Sequence, residues 1–289
     1  MKSKAWTEKF MQGVFFIAAC ASVLAVALIC IFLFANGLPA MKEIGFGKFL
    51  TGTIWKPNND IYGILPMIVG SLYVTAGAII VGVPIGILTA VFMAFYCPKQ
   101  IYKPLKTATE LLAGIPSVVY GFFGLVVLVP LIRQLGRNLG MGGNGSSMLT
   151  ASLLLGMMIL PTVIGLTESS LRAVPTHYYE GAVALGATHE RAIFRVVLPA
   201  AKSGVVAAIV LGIGRAIGET MAVIMVAGNQ ARMPAGLFRG LRTLTANIVI
   251  EMGYATGLHR EALIATGVVL FVFILLINLL FSVIKRREK

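Results

Sequence analysis

Arg215 and Glu219 are ionisable residues that lie four positions apart inside the hydrophobic stretch Ser203–Ala227. About 20 apolar residues, each rising about 1.5 Å along a helix, cross the hydrocarbon core of a bilayer, so this stretch is long enough to span one. Arg215 lies roughly 18 Å along the stretch, which is near the bilayer midplane. A charge at that depth costs at least a few kcal/mol, and ionisable residues placed there mark solute pathways.

The spacing of the two charges predicts how they interact. In one continuous helix, a residue four positions on lies on the same face, so Glu219 is predicted to lie one turn from Arg215. The neighbouring Thr220 is predicted to line the same pathway. Two interpretations of the pair remain open: a polar site on a solute pathway, or an ion pair inside one helix that only stabilises packing.

The composition of the 289-residue chain is that of a membrane protein. Hydrophobic residues make up 58% of it and charged residues only 12%, with a mean hydropathy of +0.90, whereas soluble domains are about 25% charged. The apolar runs are continuous rather than alternating, which predicts an all-α, polytopic helical protein and excludes a barrel. The net charge of the chain is +13, and the basic residues fall mostly between and beyond the apolar runs. Membrane orientation and anionic lipid headgroups explain them better than nucleic acid does.

Six apolar runs predict six transmembrane helices. We expect two domains: residues 1–64, with the first transmembrane helix and an outer loop, and residues 65–289, a core with the other five helices. The pairs Gly82-x3-Gly86 and Gly214-x3-Gly218 predict close helix contacts. The predicted spans are Val14–Ala35, Leu65–Phe95, Thr107–Ile132, Met148–Thr167, Ser203–Ala227 and Ala262–Ile284.

The distribution of Lys and Arg predicts the orientation. With the N-terminus inside, the inner segments hold 14 of the 24 basic residues and the outer segments hold nine. Basic residues accumulate on the cytoplasmic side of cell membranes, so both termini are predicted to be cytoplasmic. The loops Asn36–Gly63 and Gly228–Glu261 are then outside.

The inner loop 168–202 carries helix start and stop signals of its own. Thr176, which follows Pro175, is predicted to cap one short helix, and Thr188 is predicted to cap a second. Gly186 between them is predicted to end the first helix in the left-handed conformation that glycine adopts at low cost. Two short helices joined at a glycine suit the groove of a partner protein. An amphipathic hairpin lying on the lipid headgroups is the alternative.

This loop resembles the EAA loop of ABC-importer permeases, whose pattern is E-A-A-x3-G-x9-I-x-L-P. The spacing is intact, although Gly181 replaces the second Ala and Val196 replaces Ile. In that family the loop docks onto a cytoplasmic ATPase and transmits its closure to the membrane helices. The resemblance implies an ATPase coupling loop formed by Glu180, Gly181, Ala182, Gly186, Val196, Leu198 and Pro199.

Three further segments resemble the PstC family of phosphate-specific permeases, and the likeness extends over about residues 55–284. The segments are Asn59–Gly63, Glu110–Gly121 and Leu211–Val223. The resemblance implies a type I ABC-importer permease fold and a subunit that forms half of a phosphate pathway. It also implies a PstA-like sister permease, a PstB-like ATPase homodimer, and a PstS-like phosphate-binding protein that is periplasmic or lipid-anchored.

The chemistry of the residues agrees with an anionic substrate. Arginine offers a planar, permanently charged fork that suits an oxyanion, and Glu219 is expected to orient Arg215 and partly neutralise it. A permease for another oxyanion, such as molybdate or sulfate, remains open. A stand-alone channel or secondary transporter is a further alternative, as is a membrane anchor, although an anchor would not explain charges at the midplane.

Several kinds of site are not predicted. The chain lacks the G-x-x-x-x-G-K-[ST] phosphate loop, so ATP hydrolysis is assigned to a partner subunit and no catalytic residue is expected. The three cysteines have no metal-binding spacing, and neither a metal nor a cofactor is predicted. The three histidines, His177, His189 and His259, are predicted to be solvated loop residues.

Overall fold

The computed structural model describes the backbone of residues 2–287 and the side chains of residue 8, residues 10–280 and residue 283. Within this range the chain is helical except for loops and one small hairpin, in which β1 (Trp55–Lys56) pairs antiparallel with β2 (Ile61–Tyr62). The helices are α1 (Lys2–Ile44), α2 (Phe46–Thr51), α3 (Leu65–Val91), α4 (Lys99–Gly114), α5 (Ser117–Phe123), α6 (Val129–Asn138), α7 (Met148–Arg172), α8 (Thr176–Ala184), α9 (His189–Ala192), α10 (Leu198–Ala200), α11 (Lys202–Gly218), α12 (Met221–Val226), α13 (Leu244–Met252) and α14 (Gly257–Arg287).

Three wider turns of π-helix extend these elements. They are Phe92–Tyr96 after α3, Gly124–Leu128 between α5 and α6, and Ile193–Val197 between α9 and α10. Because the second of these joins α5 to α6 without a break, the helix runs continuously from Ser117 to Asn138.

The helices confirm the predicted all-α, multi-span fold. Within the described residues, five helices are long and apolar enough to cross a membrane, and α11 supplies a sixth segment that follows His189–Ala200 after a bend of 69°. The second predicted span, Leu65–Phe95, agrees with the structure to within one residue. The five long helices are Phe10–Ile44, Leu65–Tyr96, Ser117–Asn138, Met148–Arg172 and Gly257–Leu280.

The two ends of the helical body carry different small elements. A buried cluster at one end contains Ala40 from α1, Ile64 just before α3 and Leu263 from α14, together with residues of the β-hairpin. We call this the hairpin end. At the opposite end of α3, Val91 packs with Ile193 after α9. We call this the α8 end.

The first and last helices pack antiparallel. Phe34 contacts Phe271 edge to face, with ring centroids 6.0 Å apart, and Gly37 faces Ala265. A Cβ atom on Gly37 would lie 3.1 Å from the Ala265 Cα, so glycine permits this close approach. Since both helices meet at the hairpin end, the N-terminal end of α1 and the C-terminal end of α14 both point away from it.

Helices α3 and α7 form the closest long pair, and two glycines permit it. A Cβ atom on Gly82 would lie 2.6 Å from the Gly156 carbonyl oxygen, and one on Gly86 would lie 2.7 Å from Val163 Cγ1. The contact predicted for this glycine pair is therefore confirmed. Gly214 and Gly218 differ, because no heavy atom lies within 4 Å of a Cβ atom built on either of them.

The third predicted span, Thr107–Ile132, is wrong as a continuous helix. Helix α4 ends at Gly114, and Ile115 is extended, with φ −68° and ψ 126°. The following Pro116 explains this, since a proline disfavours the helical conformation of the residue before it. A new helix starts at Ser117, and the Tyr120 hydroxyl bridges the break by donating to the Leu112 carbonyl oxygen at 2.9 Å.

The fifth predicted span, Ser203–Ala227, is also broken. Helix α11 ends at Gly218, and Glu219 is extended with φ −68° and ψ 132°. Thr220 departs from helical geometry too, with φ −122° and ψ −60°, before α12 begins at Met221. The prediction failed because the segments on both sides of the break are apolar, and hydropathy does not show where one helix ends and the next begins.

The helix signals predicted for the inner loop are mostly confirmed. Gly186 has φ +86° and follows α8, and its N–H donates to the Val183 carbonyl oxygen at 2.9 Å, as at a left-handed helix end. The Thr188 hydroxyl accepts from the Arg191 N–H and caps α9. The cap predicted at Thr176 is wrong by one residue. Thr176 is already helical, and the extended residue before it is Pro175.

Candidate functional site

The two helix breaks lie near each other in the molecule. Gly121, in the first turns after the Ile115–Pro116 break, faces α12, which begins after the Glu219–Thr220 break. A Cβ atom on Gly121 would lie 3.0 Å from the Ala222 Cα. The α5 and α12 segments therefore pack directly against each other just beyond the two interruptions. Discontinuous helices that meet near the bilayer midplane are the usual framework of substrate sites in transporters.

Arg215 lies beside these breaks, in the last turn of α11. Its side chain is exposed in the chain, and it interacts electrostatically with Tyr120 on α5. Among the residues that the structure describes, no carboxylate lies within ion-pair distance of the Arg215 guanidinium. No other element lies within 4 Å of the Cβ positions of Gly214 and Gly218 on this helix. The arginine is thus an exposed cation close to positions that no neighbouring element packs against.

Glu219 occupies a different position from the one predicted. Its Oε1 atom accepts hydrogen bonds from the backbone N–H groups of Thr220 (3.1 Å) and Ala222 (3.2 Å), so the carboxylate caps the start of α12. The prediction that Glu219 shares a helix face with Arg215 is wrong, because the helix ends between them.

Helix electrostatics explain why the two charges are separate. The C-terminal end of a helix carries a partial negative charge, which favours a cation such as Arg215, and the N-terminal end favours an anion such as Glu219. Each charged residue therefore lies at a helix end whose partial charge it complements, and Glu219 in addition accepts hydrogen bonds from backbone N–H groups. The interpretation as an ion pair inside one helix is excluded by the break.

Thr220 lies at the break between α11 and α12. Its hydroxyl donates to the Gly218 carbonyl oxygen at 3.2 Å, and its side chain is half-buried. The next carbonyl group, that of Glu219, accepts a hydrogen bond from the Thr245 hydroxyl at 3.0 Å. The polar groups of both threonines therefore hold backbone carbonyls that α11 leaves without helical partners.

Tyr120 and Thr245 are residues of this site that sequence reasoning missed. Tyr120 fell inside a segment interpreted as an unbroken span, and Thr245 belongs to a loop predicted only to be outside. Pro116 was the available signal for the first, because a proline marks a probable helix boundary at the preceding residue. No local signal identifies Thr245, since its contact joins residues 26 positions apart.

A second cluster of charges fastens α4 to α7 at the α8 end. Glu168 is buried and accepts hydrogen bonds from the Tyr102 hydroxyl (2.6 Å) and Arg172 Nε (2.8 Å). Lys106 Nζ lies 3.5 Å from its other oxygen. The hydrogen bond with Tyr102 raises the pKa of Lys106, and the nearby Glu168 charge adds to this, against the opposite effect of burial. Since every charge in the cluster has a partner, its role is to hold α4 in place.

The residues predicted to form the coupling loop divide into an exposed tip and an anchored base. Glu180 and Gly186 are exposed, and Leu185 between them has 92% of its surface exposed. Val196 and Leu198 are half-buried, beside a cluster that packs on the ends of α3 and α7. Gly181 is exposed, Ala182 is half-buried and Pro199 is exposed.

All three histidines were predicted to be solvated loop residues, and this prediction is wrong for two of them. His259 is mostly buried, and its Nε2 lies 2.9 Å from a Glu251 carboxylate oxygen. His189 Nδ1 lies 2.7 Å from the Tyr179 hydroxyl. His177 is exposed, as expected. The prediction failed for the first two because His189 begins α9 and His259 belongs to α14, and the partners of both side chains come from other elements, which a local pattern does not reveal.

Residues 82–289 match the family described as the binding-protein-dependent transport system inner membrane component. This chain belongs to that family. The permease is therefore a multi-pass component of a transport system, and the matched region includes both helix breaks and the loop 168–202.

Relatives of this permease align along most of its length. It is 40% identical over 284 residues to the probable ABC transporter permease protein YqgH of Bacillus subtilis (strain 168), covering 94% of this chain and 91% of the relative. It is 37% identical over 276 residues to the phosphate transport system permease protein PstC of Mesorhizobium japonicum, covering 89% of this chain and 84% of that one. These relatives are permease subunits.

Solved structures share the fold of the permease. One is a bacterial alginate ABC transporter in complex with its alginate-bound periplasmic protein, with a TM-score of 0.60 and 17% identity over 93% of this chain and 94% of that chain. Another is an inward-facing MetNI methionine ABC transporter, with a TM-score of 0.59 and 20% identity over 82% of this chain and 100% of that one. The fold is that of a type I ABC-importer permease.

Proposed function

We propose that this permease forms half of the translocation pathway of an ATP-driven phosphate importer, with Arg215 as the substrate contact. The observation that carries the proposal is a cation without a carboxylate partner in the described residues, placed in the last turn before one helix break and near the helix that follows the other. The name of the PstC relative, which is 37% identical, supports phosphate as the substrate.

The chemistry of the site favours a compact oxyanion. The guanidinium of Arg215 can donate two parallel hydrogen bonds to such an anion. The helix that begins at Ser117 adds the partial positive charge of its N-terminal end, which also favours an anion. Because Glu219 is already satisfied by backbone N–H groups, its negative charge is held away from the substrate side. The site is therefore net positive where Gly214 and Gly218 leave room.

The loop Glu180–Pro199 is proposed to be the contact with the ATPase. Leu185 is an exposed apolar residue at its tip, and the left-handed Gly186 fixes the angle between α8 and α9. An apolar side chain presented on a rigid turn suits a groove in a partner. Because Ile193 and Val197 are buried against α3 and α7, a movement of the tip is transmitted to the membrane helices.

The remaining partners and the orientation follow from this assignment. ATP is hydrolysed by a PstB-like homodimer, a PstA-like sister permease supplies the other half of the pathway, and a PstS-like protein delivers phosphate. The α8 end is then cytoplasmic, as are both chain termini, since the outer ends of α1 and α14 lie with the β-hairpin. We also propose that residues 1–64 and residues 65–289 form two domains, and that the β-hairpin of the first domain lies on the outer side of the membrane.

Uptake of labelled phosphate tests the proposal directly. In cells that lack other phosphate importers, Arg215→Gln is expected to reduce uptake to background while the complex still assembles. The matched control is Arg137→Gln, which removes the same charge from an exposed position on α6 and should leave uptake unchanged. Near-normal uptake by Arg215→Gln would refute the assignment. Stronger inhibition of uptake by molybdate or sulfate than by unlabelled phosphate would assign another oxyanion.

A further inference from the structure

We propose that Thr245 is a positioning residue of the translocation site, and that a buried cluster around Glu251 anchors it from the hairpin end. This inference rests on the proposed function of the Arg215 region. Thr245 does not contact Arg215. It acts through the Glu219 carbonyl oxygen, to which its hydroxyl donates a hydrogen bond of 3.0 Å.

The bond from Thr245 fixes the non-helical turn between α11 and α12. Glu219 has no helical backbone geometry to hold it, so its orientation depends on the groups that bind it. The Glu219 side chain accepts hydrogen bonds from the N–H groups of Thr220 and Ala222, and the Glu219 carbonyl oxygen accepts one from the Thr245 hydroxyl. Thr245 is itself buried and lies 3.1 Å from the Thr243 hydroxyl, which caps α13. The hydroxyl is therefore held in a fixed direction.

Helix α13 is in turn held by Glu251 near its C-terminal end. Glu251 is buried and forms an ion pair with Arg242, which precedes α13. It accepts a hydrogen bond from Trp55 Nε1 at 2.8 Å and lies 2.9 Å from His259 Nε2. These three partners come from the β-hairpin, the segment before α13 and the start of α14. One carboxylate thus joins three separate parts of the hairpin end.

Arg242 extends the anchor back to the site. Its Nε donates to the Asn229 carbonyl oxygen at 3.0 Å, and the Asn229 side chain donates to the Ile224 carbonyl oxygen of α12 at 2.7 Å. Arg242 Nη1 also donates to Asn247 of α13 at 2.9 Å. Helix α12, which follows the Glu219 turn, and helix α13, which carries Thr245, are therefore connected to the same guanidinium.

Aromatic and polar side chains surround the cluster around Glu251. Tyr62 stacks against His259, with ring centroids 6.2 Å apart, and donates to Asp60 at 3.1 Å. Burial and the hydrogen bond with Asp60 raise the pKa of Tyr62 to about 12, so its hydroxyl remains protonated at any physiological pH. Removing one partner of a buried ion pair leaves an uncompensated charge, which strongly destabilises a protein. The Glu251–Arg242 pair therefore helps to keep the hairpin and α13 in their relative positions.

The decisive experiment compares two substitutions of Thr245 in the assembled transporter, with phosphate uptake as the readout. Thr245→Val keeps the shape but removes the hydroxyl, and we expect uptake to fall about fivefold to tenfold, the equivalent of one lost hydrogen bond. Thr245→Ser keeps the hydroxyl and should restore uptake to within about twofold of the original. The control is Thr51→Val on α2, which removes an exposed hydroxyl that also donates to a backbone carbonyl.

A double substitution tests the anchor. Glu251→Gln and Trp55→Phe should each lower uptake. When either is combined with Thr245→Val, uptake should fall little below that of Thr245→Val alone, because all three substitutions act through one turn. If Glu251→Gln prevents assembly, Trp55→Phe alone decides, since it keeps an aromatic side chain and removes the N–H donor together with part of the indole ring. Full additivity would overturn the anchoring role.

The outcomes separate this inference from the proposed function. Normal uptake by Thr245→Val, or equal loss in the Val and Ser variants, would refute a positioning role even if Arg215→Gln abolishes uptake. Normal uptake by Arg215→Gln would instead refute the proposed site, whatever the Thr245 variants do.

Discussion

The carboxylate of Glu219 lies 3.2 Å from the backbone nitrogen of Ala222, where it caps the first turn of α12. Arg215, four residues earlier, sits in the last turn of the preceding helix. Each charge therefore complements the partial charge of the helix end beside it. The positive charge that a substrate anion needs is left available because the acidic residue nearest in sequence is occupied by the backbone.

The capping role of Glu219 predicts that Gln and Ala will behave differently at this position. Glu219→Gln keeps an acceptor for the N–H groups of Thr220 and Ala222, whereas Glu219→Ala removes the cap and should destabilise the complex by about 1 kcal/mol. We expect uptake and thermal stability to decrease in the order Glu, Gln, Ala. Equal damage from both substitutions would indicate that the negative charge, and not the cap, is what matters.

The left-handed turn at Gly186 predicts a strict requirement for glycine there and none at Gly181. Gly186 has φ +86°, a conformation that costs other residues roughly 1–2 kcal/mol. Gly181 is inside α8 and its Cβ position is open, so alanine should be tolerated or slightly stabilising. Gly186→Ala should therefore lower co-purification of the ATPase, and Gly181→Ala should not. Equal recovery with both variants would contradict the coupling role of this turn.

The close packing of α3 on α7 predicts that Gly86→Ala destabilises the protein. The new methyl carbon would lie 2.7 Å from Val163 Cγ1, and overpacking of this kind typically costs about 1–3 kcal/mol. Gly165→Ala on α7 is the matched control, because nothing lies within 4 Å of its Cβ position. Thermal unfolding of the purified complex measures the difference. A Gly86→Ala protein as stable as the control would show that the helices separate easily.

The proposed orientation predicts which introduced cysteines react in intact cells. In a background with Cys20, Cys30 and Cys97 replaced by serine, an impermeant maleimide should label Asn58→Cys in the hairpin turn, which is exposed. Leu185→Cys should react only after the cells are permeabilised. The reverse pattern would invert the topology. Asn247 is unsuitable as a reporter, because it is fully buried on α13.

Local signals in the sequence were sufficient for the elements that local physics determines. Long apolar runs identify membrane spans because a helix satisfies the backbone hydrogen-bonding groups within its own segment, as lipid requires. The turn at Gly186 and the cap at Thr188 follow from backbone conformation and from one side chain, so they were also predictable.

The parts of the site that depend on tertiary structure were not predictable. Both breaks fall inside segments that were predicted as single spans, and hydrophobic periodicity cannot distinguish one helix from two successive ones. Pro116 gave a local signal for the first break, but no proline marks the second. The bond from Thr245 to Glu219 and the cluster around Glu251 join residues far apart in sequence, with Trp55 and Glu251 separated by 196 positions. Only the folded chain brings these groups together.

The placement of the two breaks has a mechanical consequence. An unbroken transmembrane helix must tilt as a rod, and bending it would disrupt its internal hydrogen bonds. At Ile115–Pro116 and at Glu219–Thr220 the regular helical bonding is already interrupted, and the turns are held by side-chain bonds such as those from Tyr120 to Leu112 and from Thr245 to Glu219. The two breaks are therefore the points at which a change of backbone direction would disrupt the fewest helical bonds. A change in the angle between the segments on either side of a break would leave the helical bonds within each segment intact.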